Sequence, residues 1–277
     1  MPRAGGGYDR GVGDDLGTPR PSAEAGGDRV TAGRLRAANA LLALLHAGQA
    51  AVILALSNGF GLPVTITFLE GPPGTDGTTD TLFDLPVGPA IAAFLALAAL
   101  DHGLMAAPRV NAWYERNLRR GINPARWWEY SLSASLMIVL IAMLTGLSDA
   151  AALLAIFGVN AAMILFGLQM ERANPPGSRV DWRPFIYGSL VGAVPWVAIT
   201  LQIAYAQTET GQVPGFVYGI FASLFFLFFS FALNMALQYG RVGPWRSYRF
   251  GEAGYLVLSL AAKSALAWQV FFPTLLD

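Results

Sequence analysis

The chain contains no cysteine, and lysine occurs once, as Lys263. The first absence excludes disulfides, thiolate metal sites and a cysteine nucleophile, and it leaves the redox compartment open. There are two histidines and no HExxH-type spacing, so a zinc site has little to build on. Charge is scarce as well. Asp, Glu, Lys and Arg make up 13% of the 277 residues and cancel to a formal net charge of +0. No basic patch of the kind nucleic-acid binders use follows from that balance. No constellation for enzymatic turnover is visible, so an enzyme is not expected. What fills the space is apolar: 54% of the residues are hydrophobic, and the mean hydropathy is +0.46. That is too apolar for a soluble globule, and the lipid bilayer becomes the expected solvent.

Residues 1–33 mix Gly, Pro and both charge signs without apolar periodicity, which predicts a disordered tail and no signal peptide. Residues 34–277 form the membrane domain. A spanning helix needs about 20 mostly apolar residues, and seven segments qualify: Ala37–Ser57, Pro86–Ala107, Pro124–Gly146, Asp149–Met170, Pro184–Ala206, Pro214–Gln238 and Phe250–Phe272. Turn and charge signals separate them, among them GPPGTDG, PRVNAWYERNLRRG, NPPGSR and YGRVGPWRS. Between spans 1 and 2, PVTITFLEGPPGTDGTTDTLFD alternates β-branched and polar residues around a Pro-Gly turn. This predicts a β-hairpin lying over one face of the bundle, with a mobile linker as the plainer alternative.

Every basic residue apart from Lys263 is an arginine, and all of them fall in the tail, the start of span 1 and the loops 2–3, 4–5 and 6–7. The remaining loops and the C-terminus carry only acidic residues such as Glu70, Asp84, Asp149 and Asp277. Short cytoplasmic loops collect Lys and Arg, so the N-terminus is expected in the cytoplasm and the C-terminus outside. The clean alternation supports the count of spans, because a missed span would scatter arginines to both sides.

Lys263 breaks the pattern. It lies roughly 21 Å into the last span at 1.5 Å per residue, near mid-membrane, where a bare ammonium costs several kcal/mol. Such a lysine must be paired, deprotonated or covalently modified, and an amine in a dry pocket can form a Schiff base with a carbonyl compound. The candidate partner is Glu129 in span 3, with Arg126 three residues earlier on the same face, so that Arg126, Glu129 and Lys263 could form a ladder of alternating charge. A structural ion pair locking spans 3 and 7 is the alternative. His46 in span 1, with Asp101 and His102 near the end of span 2, could form a proton-handling cluster in the cytoplasmic half, although an intramembrane His often only packs helices. Asp101 and His102 point about 100° apart, so one of them faces the interior. Beyond Lys263 toward the outer surface no span carries an ionisable residue except interfacial Asp149. A vectorial pump needs relay groups on both sides of its switch. Aromatic residues in FFLFFSF of span 6, Pro195-Trp196 of span 5 and Trp268 of span 7 could wall a slot for a flat polyene.

Seven spans with a lysine in the last and a carboxylate in the third resemble the retinal-binding rhodopsins. More narrowly, FGLPVTITFLEGPPGT, RWWEYSLSASLMIVLIA, LLAIFGVNAAMILFG, VPGFVYGI and LSLAAKSALAWQ resemble the heliorhodopsins, in order, over about residues 37–272. The resemblance implies an all-α seven-transmembrane-helix bundle in the family's inverted orientation. It implies all-trans retinal on Lys263 as a protonated Schiff base, with Glu129 as counterion and Ser259 where pumping rhodopsins place a second carboxylate. Ser133, Tyr130, Asn160, Met163, Trp196, Phe228 and Trp268 would line the chromophore site, and His46, His102, Asp101 and Arg126 would belong to the proton network. Asp101 and Ala134 depart from the family's pattern. The family further implies a homodimer, a light-sensing role with a slow photocycle, no vectorial pumping and a cytoplasmic signalling partner that the sequence does not name. A light-gated proton channel or weak proton transporter is the alternative.

Overall fold

The computed structural model describes residues 30–275. Residues 1–29 of the expected tail, and the expected outer end at Asp277, lie outside the described residues. In chain order the elements are α1 (Ala32–Leu56), the strands β1 (Gly61–Leu69) and β2 (Gly77–Pro86), and then α2 (Val87–Ala106), α3 (Pro108–Leu118), α4 (Pro124–Leu144) and α5 (Ala150–Ala173). The chain continues through α6 (Arg183–Thr210), α7 (Gly215–Tyr239), a 3-10 turn at Gly243–Arg246 and α8 (Tyr248–Thr274). Among the described residues, seven helices are long and apolar enough to cross a membrane, and α3 is not one of them.

Local chemistry sets the helix starts. Thr31, Asn123 and Asp149 accept the backbone N–H groups of Arg34, Arg126 and Ala152, capping α1, α4 and α5. Proline stands in the first turn of α3, α4 and α6, where a missing N–H costs nothing. The spans then traverse up and down. Arg36 at the start of α1 donates to the Ala106 carbonyl at the end of α2, and Asn58, just past α1, reaches the Thr274 carbonyl at the end of α8. All the arginine-bearing connections therefore share one end of the bundle.

The expected hairpin caps the opposite end. β1 and β2 pair antiparallel from Gly61 opposite Pro86 to Leu69 opposite Gly77, with a register shift between Val64 and Thr65. At that shift the hairpin is tied to the α4–α5 connection, the Thr65 N–H donating to the Ser148 carbonyl at 2.8 Å and the two hydroxyls lying 3.0 Å apart. The mobile-linker alternative is therefore not what the chain adopts.

One element departs from the sequence reading. The charged connection PRVNAWYERNLRRG folds over Pro108–Leu118 into α3, because Tyr114, Glu115 and Leu118 fall on one side and are buried while Arg109, Arg116 and Arg119 face out. At 11 residues it is too short to span, since a crossing takes about 20. The alternation of topology survives.

The interior packs tightly: Ile53, Ile91, Phe94, Leu95, Ile138 and Leu266 are each fully buried in the largest cluster. The outward leucines Leu44, Leu154, Leu190 and Leu201 are largely exposed, as lipid-facing positions should be. Because lipid tails are as apolar as leucine, helix association here relies on close fit more than on burial. Gly167 of α5 is such a place: a Cβ there would overlap the Trp127 ring of α4. That ring cannot swing aside, since its N–H donates to Glu171 at 2.7 Å. We expect Gly167→Ala to destabilise the bundle by about 1–3 kcal/mol through overpacking, read as a lower melting temperature. Gly158→Ala on the same helix, with open space around it, should be neutral or gain up to about 1 kcal/mol. Equal melting of the two variants would contradict this packing.

Candidate functional site

Helical geometry places Ser259 and Lys263 one turn apart on the buried face of α8, and both side chains are nearly inaccessible. The Lys263 ammonium lies 3.1 Å from Ser259 Oγ, 3.3 Å from Glu129 Oε1 and 3.4 Å from Glu129 Oε2, with the hydrogen bond made to Oε2. It also sits 4.8 Å from the centre of the Tyr130 ring. The expected pairing of the last span's lysine with the third span's carboxylate is thus formed, and the desolvation cost is offset by ion pair, hydroxyl and ring together. Ser133, one turn after Glu129, is fully buried, and its hydroxyl has no hydrogen-bond partner among the described residues.

From Lys263 a cavity of about 470 Å³ runs between α4, α5, α6 and α7. Its walls are apolar and aromatic, with Tyr130, Met163, Trp196 and Phe228 present as expected. Trp196 meets Phe221, Phe225 and Phe228 edge to face at 5.3–5.7 Å, an arrangement aromatic rings favour. Phe225, Phe229 and Phe231 of the expected FFLFFSF wall line it too. Sequence reasoning missed Tyr255, which also lines it; it is one aromatic among many in an apolar helix, and nothing in the spacing singles it out. Three expected wall residues, Ser133, Asn160 and Trp268, stand outside its lining. Asn160 donates to Ser135 at 3.0 Å, bracing α5 against α4, and Trp268 turns toward α1, where its N–H reaches Gln49 at 3.1 Å.

The histidines do come together. His46 and His102 stack with ring centroids 5.7 Å apart and planes 8° from parallel. Asn39 donates its amide to the Leu35 carbonyl, so its oxygen is the acceptor for His102 Nδ1 at 2.8 Å. That bond fixes the tautomer and leaves His102 Nε2 without a hydrogen. Asp101, next in sequence, is only half-buried while His102 faces inward, as the 100° offset predicts.

Arg126 corrects the sequence reading. It does not complete a ladder with Glu129 and Lys263, but forms ion pairs with Glu171 of α5 and Glu252 of α8, all three nearly inaccessible. Its guanidinium lies 4.7 Å from the centre of the Trp127 ring and 4.0 Å from that of Tyr255. Every remaining oxygen of the triad is satisfied. Glu171 also accepts from the Asn123 N–H, the Trp127 N–H and the Tyr248 hydroxyl, and Glu252 from the Asn123 amide and the Tyr114 hydroxyl. Burial, with Glu252 beside it, holds the Tyr114 phenol well above its ordinary pKa, so it remains a donor. The physical reason for the correction is charge balance: two buried carboxylates at the arginine end outbid one at mid-membrane that already has a lysine. The available signal was that Glu171 lies in the last turn of α5 and Glu252 just past the first turn of α8, both near the helix ends that, like the start of α4 with Arg126, stand at the arginine-bearing end.

The heliorhodopsin family model matches residues 35–275. The chain belongs to the heliorhodopsin family. No curated protein matches it. Membership, with the seven apolar helices, makes it an integral membrane protein of the rhodopsin type, light-responsive, with retinal as the chromophore the family implies. The residues present fit that group: a buried amine opens onto a cavity lined by aromatic and aliphatic side chains, with a carboxylate within ion-pairing distance.

The triad separates cleanly from the lysine site, and substitution should reveal this. Arg126→Gln strands two buried carboxylates and should cost about 3–5 kcal/mol. Adding Glu171→Gln and Glu252→Gln to it should recover much of the loss. Melting temperatures check both, and a single variant as stable as the native chain would show that the triad is not structural.

Proposed function

We propose that this heliorhodopsin is a photoreceptor rather than a pump, in which Lys263 carries the chromophore and Glu129 is its single counter-charge. One observation supports this reading above others: the only lysine of the chain is buried against Glu129 and Ser259 at the mouth of the aromatic cavity. All-trans retinal, joined to Lys263 as a protonated Schiff base, supplies absorption of visible light and a change of shape on excitation. Glu129 balances the positive nitrogen, strongly so because the site is screened from water. Ser259 donates or accepts a hydrogen bond but carries no charge, so the nitrogen has one anionic neighbour and one nearby place to deliver its proton. Tyr130 and Trp196 hold the cavity's shape, the first through its hydroxyl to the Tyr255 carbonyl at 3.1 Å.

The histidine pair is the onward proton store. Its Nε2 atoms and His46 Nδ1 have no partner among the described residues, and a buried polar atom left so is costly unless something else serves it. The spans between Lys263 and the hairpin end carry no Asp, Glu, Lys, Arg or His. A proton released at Lys263 therefore has no relay to that end and returns by the way it left. With the arginine-bearing end in the cytoplasm, as the loop charges favour, the proton movements stay on the cytoplasmic side.

Absorption spectra of the retinal-reconstituted protein test the assignment. Lys263→Ala should abolish the visible band, and a band that survives would refute the attachment site. Glu129→Gln should move the maximum to longer wavelength, because without the carboxylate less energy is needed to shift positive charge along the polyene. An unchanged spectrum at every pH would point to another counterion, and a sustained photocurrent across an oriented membrane would sink the reading as a sensor alone.

A further inference from the structure

The arginine-bearing end holds a second, smaller cavity of about 120 Å³, bounded by the α5–α6 connection, by Gly121 and by the segment from Tyr239 to Tyr248 that joins α7 to α8. It is separate from the lysine site. Its lining includes two cationic side chains, Arg241 and Arg246, and no carboxylate. Among the described residues neither arginine forms an ion pair. Nearby Asp181 does not compete, because Arg183 already engages it in a forked pair that holds its carboxyl down at about 2.

The backbone here is held in a conformation that side chains avoid. Arg241 has φ 53°, the one non-glycine residue in the left-handed region among those described. Gly240 and Gly243 stand close by, so a glycine at 241 would be the relaxed choice. The left-handed residue closes α7: the Arg241 N–H donates to the Gln238 carbonyl and the Val242 N–H to the Leu237 carbonyl, the bonding by which helices end at such a residue. The surroundings are visible: Arg246 Nε donates to the Arg241 carbonyl at 3.2 Å, and the Trp245 indole N–H anchors the turn on the Asn234 side-chain oxygen at 2.8 Å. Arg246 thus spends one nitrogen on the turn and keeps the outer edge of its fork. Tyr239 adds a phenol with no hydrogen bond among the described residues.

Two guanidinium groups on a strained, braced turn, in a cavity too small for a large ligand and open at the membrane surface, match a tetrahedral oxyanion. Arginine forks engage such oxygens in pairs, which a carboxylate-free lining leaves uncontested. We propose that this cavity is a binding site for a phosphate group, held by Arg241 and Arg246, whether as free phosphate or as the monoester headgroup of a phospholipid. The site does not depend on the chromophore or on the function proposed above.

The full chain in nanodiscs of phosphatidylcholine alone, titrated calorimetrically with inorganic phosphate at constant ionic strength, tests the free-anion source. Native mass spectrometry of the chain taken from nanodiscs containing phosphatidic acid tests the lipid source. Saturable one-site binding is expected in at least one arm, weakened at least tenfold in Arg241→Gln/Arg246→Gln and unchanged in Arg119→Gln, an exposed arginine outside the cavity. Arg241→Gly should melt at a higher temperature than the native chain without phosphate yet bind at least threefold more weakly. If the double variant does not fold, Arg241→Gly decides alone. Absence of saturable binding in both arms, or undiminished binding by the arginine variants, overturns the site.

Discussion

A cation held inside a bilayer has to be answered by an anion, and the placement of side chains throughout this fold follows from that requirement. The Lys263 ammonium is met by Glu129 at 3.3 Å, which commits α4 and α8 to face each other at mid-bundle. Neither residue could be removed alone without leaving a buried, uncompensated charge. The same requirement recurs nearer the arginine end. There one guanidinium answers two carboxylates, and the excess negative charge is spread over phenol, indole and amide donors.

These two clusters are adjacent but distinct. Tyr130 lies beneath the Lys263 ammonium and donates to the Tyr255 carbonyl, while the Tyr255 ring carries the Arg126 guanidinium on its face. Arg126 in turn holds Glu252, which Tyr114 of α3 grips from the surface side. A contiguous set of contacts therefore leads from the lysine to the amphipathic helix α3. Among the described residues no comparable set leads from the lysine toward the hairpin, where most neighbours are aliphatic or aromatic.

Much of this was legible because the bilayer imposes simple rules on sequence. The seven spans, their alternation and the hairpin follow from apolar length, arginine placement and the β-branched alternation around Gly71–Gly74. The pairing of Lys263 with Glu129 follows from both being costly where they stand. Arg126 was assigned to the wrong carboxylate for an instructive reason. Helical spacing sets which residues of one helix share a face, but it carries no information on which other helix that face meets, and Glu171 and Glu252 are brought to Arg126 only by the packing of α5 and α8. The α3 helix escaped because its charges dominate its composition, whereas its fold rests on the side occupied by Tyr114 and Leu118. Trp268 and Asn160 were displaced from the expected cavity because a few tens of degrees of helix rotation decide whether a side chain faces a ligand slot or a neighbouring helix.

The one-sidedness of the polar residues bears most directly on what the bundle can do. An intramembrane proton moves between groups that exchange it, and the barrier to crossing a stretch without such groups is the cost of carrying charge through hydrocarbon. On the arginine side of Lys263 stand Glu129, Ser133, the stacked histidines and Asp101; on the hairpin side stand Leu266, Val270, Phe271 and their like. Among the polar groups there are the indole of Trp268 and the amides of Gln49 and Gln269, each engaged with a neighbour, Gln49 by Trp268 and Gln269 by Ser223. Those hydrogen bonds brace helices and cannot take up a proton at ordinary pH. A proton relay from Lys263 to the hairpin end would therefore require at least one titratable group between them, and the close packing of that cluster leaves a carboxylate nowhere to sit without opening the core.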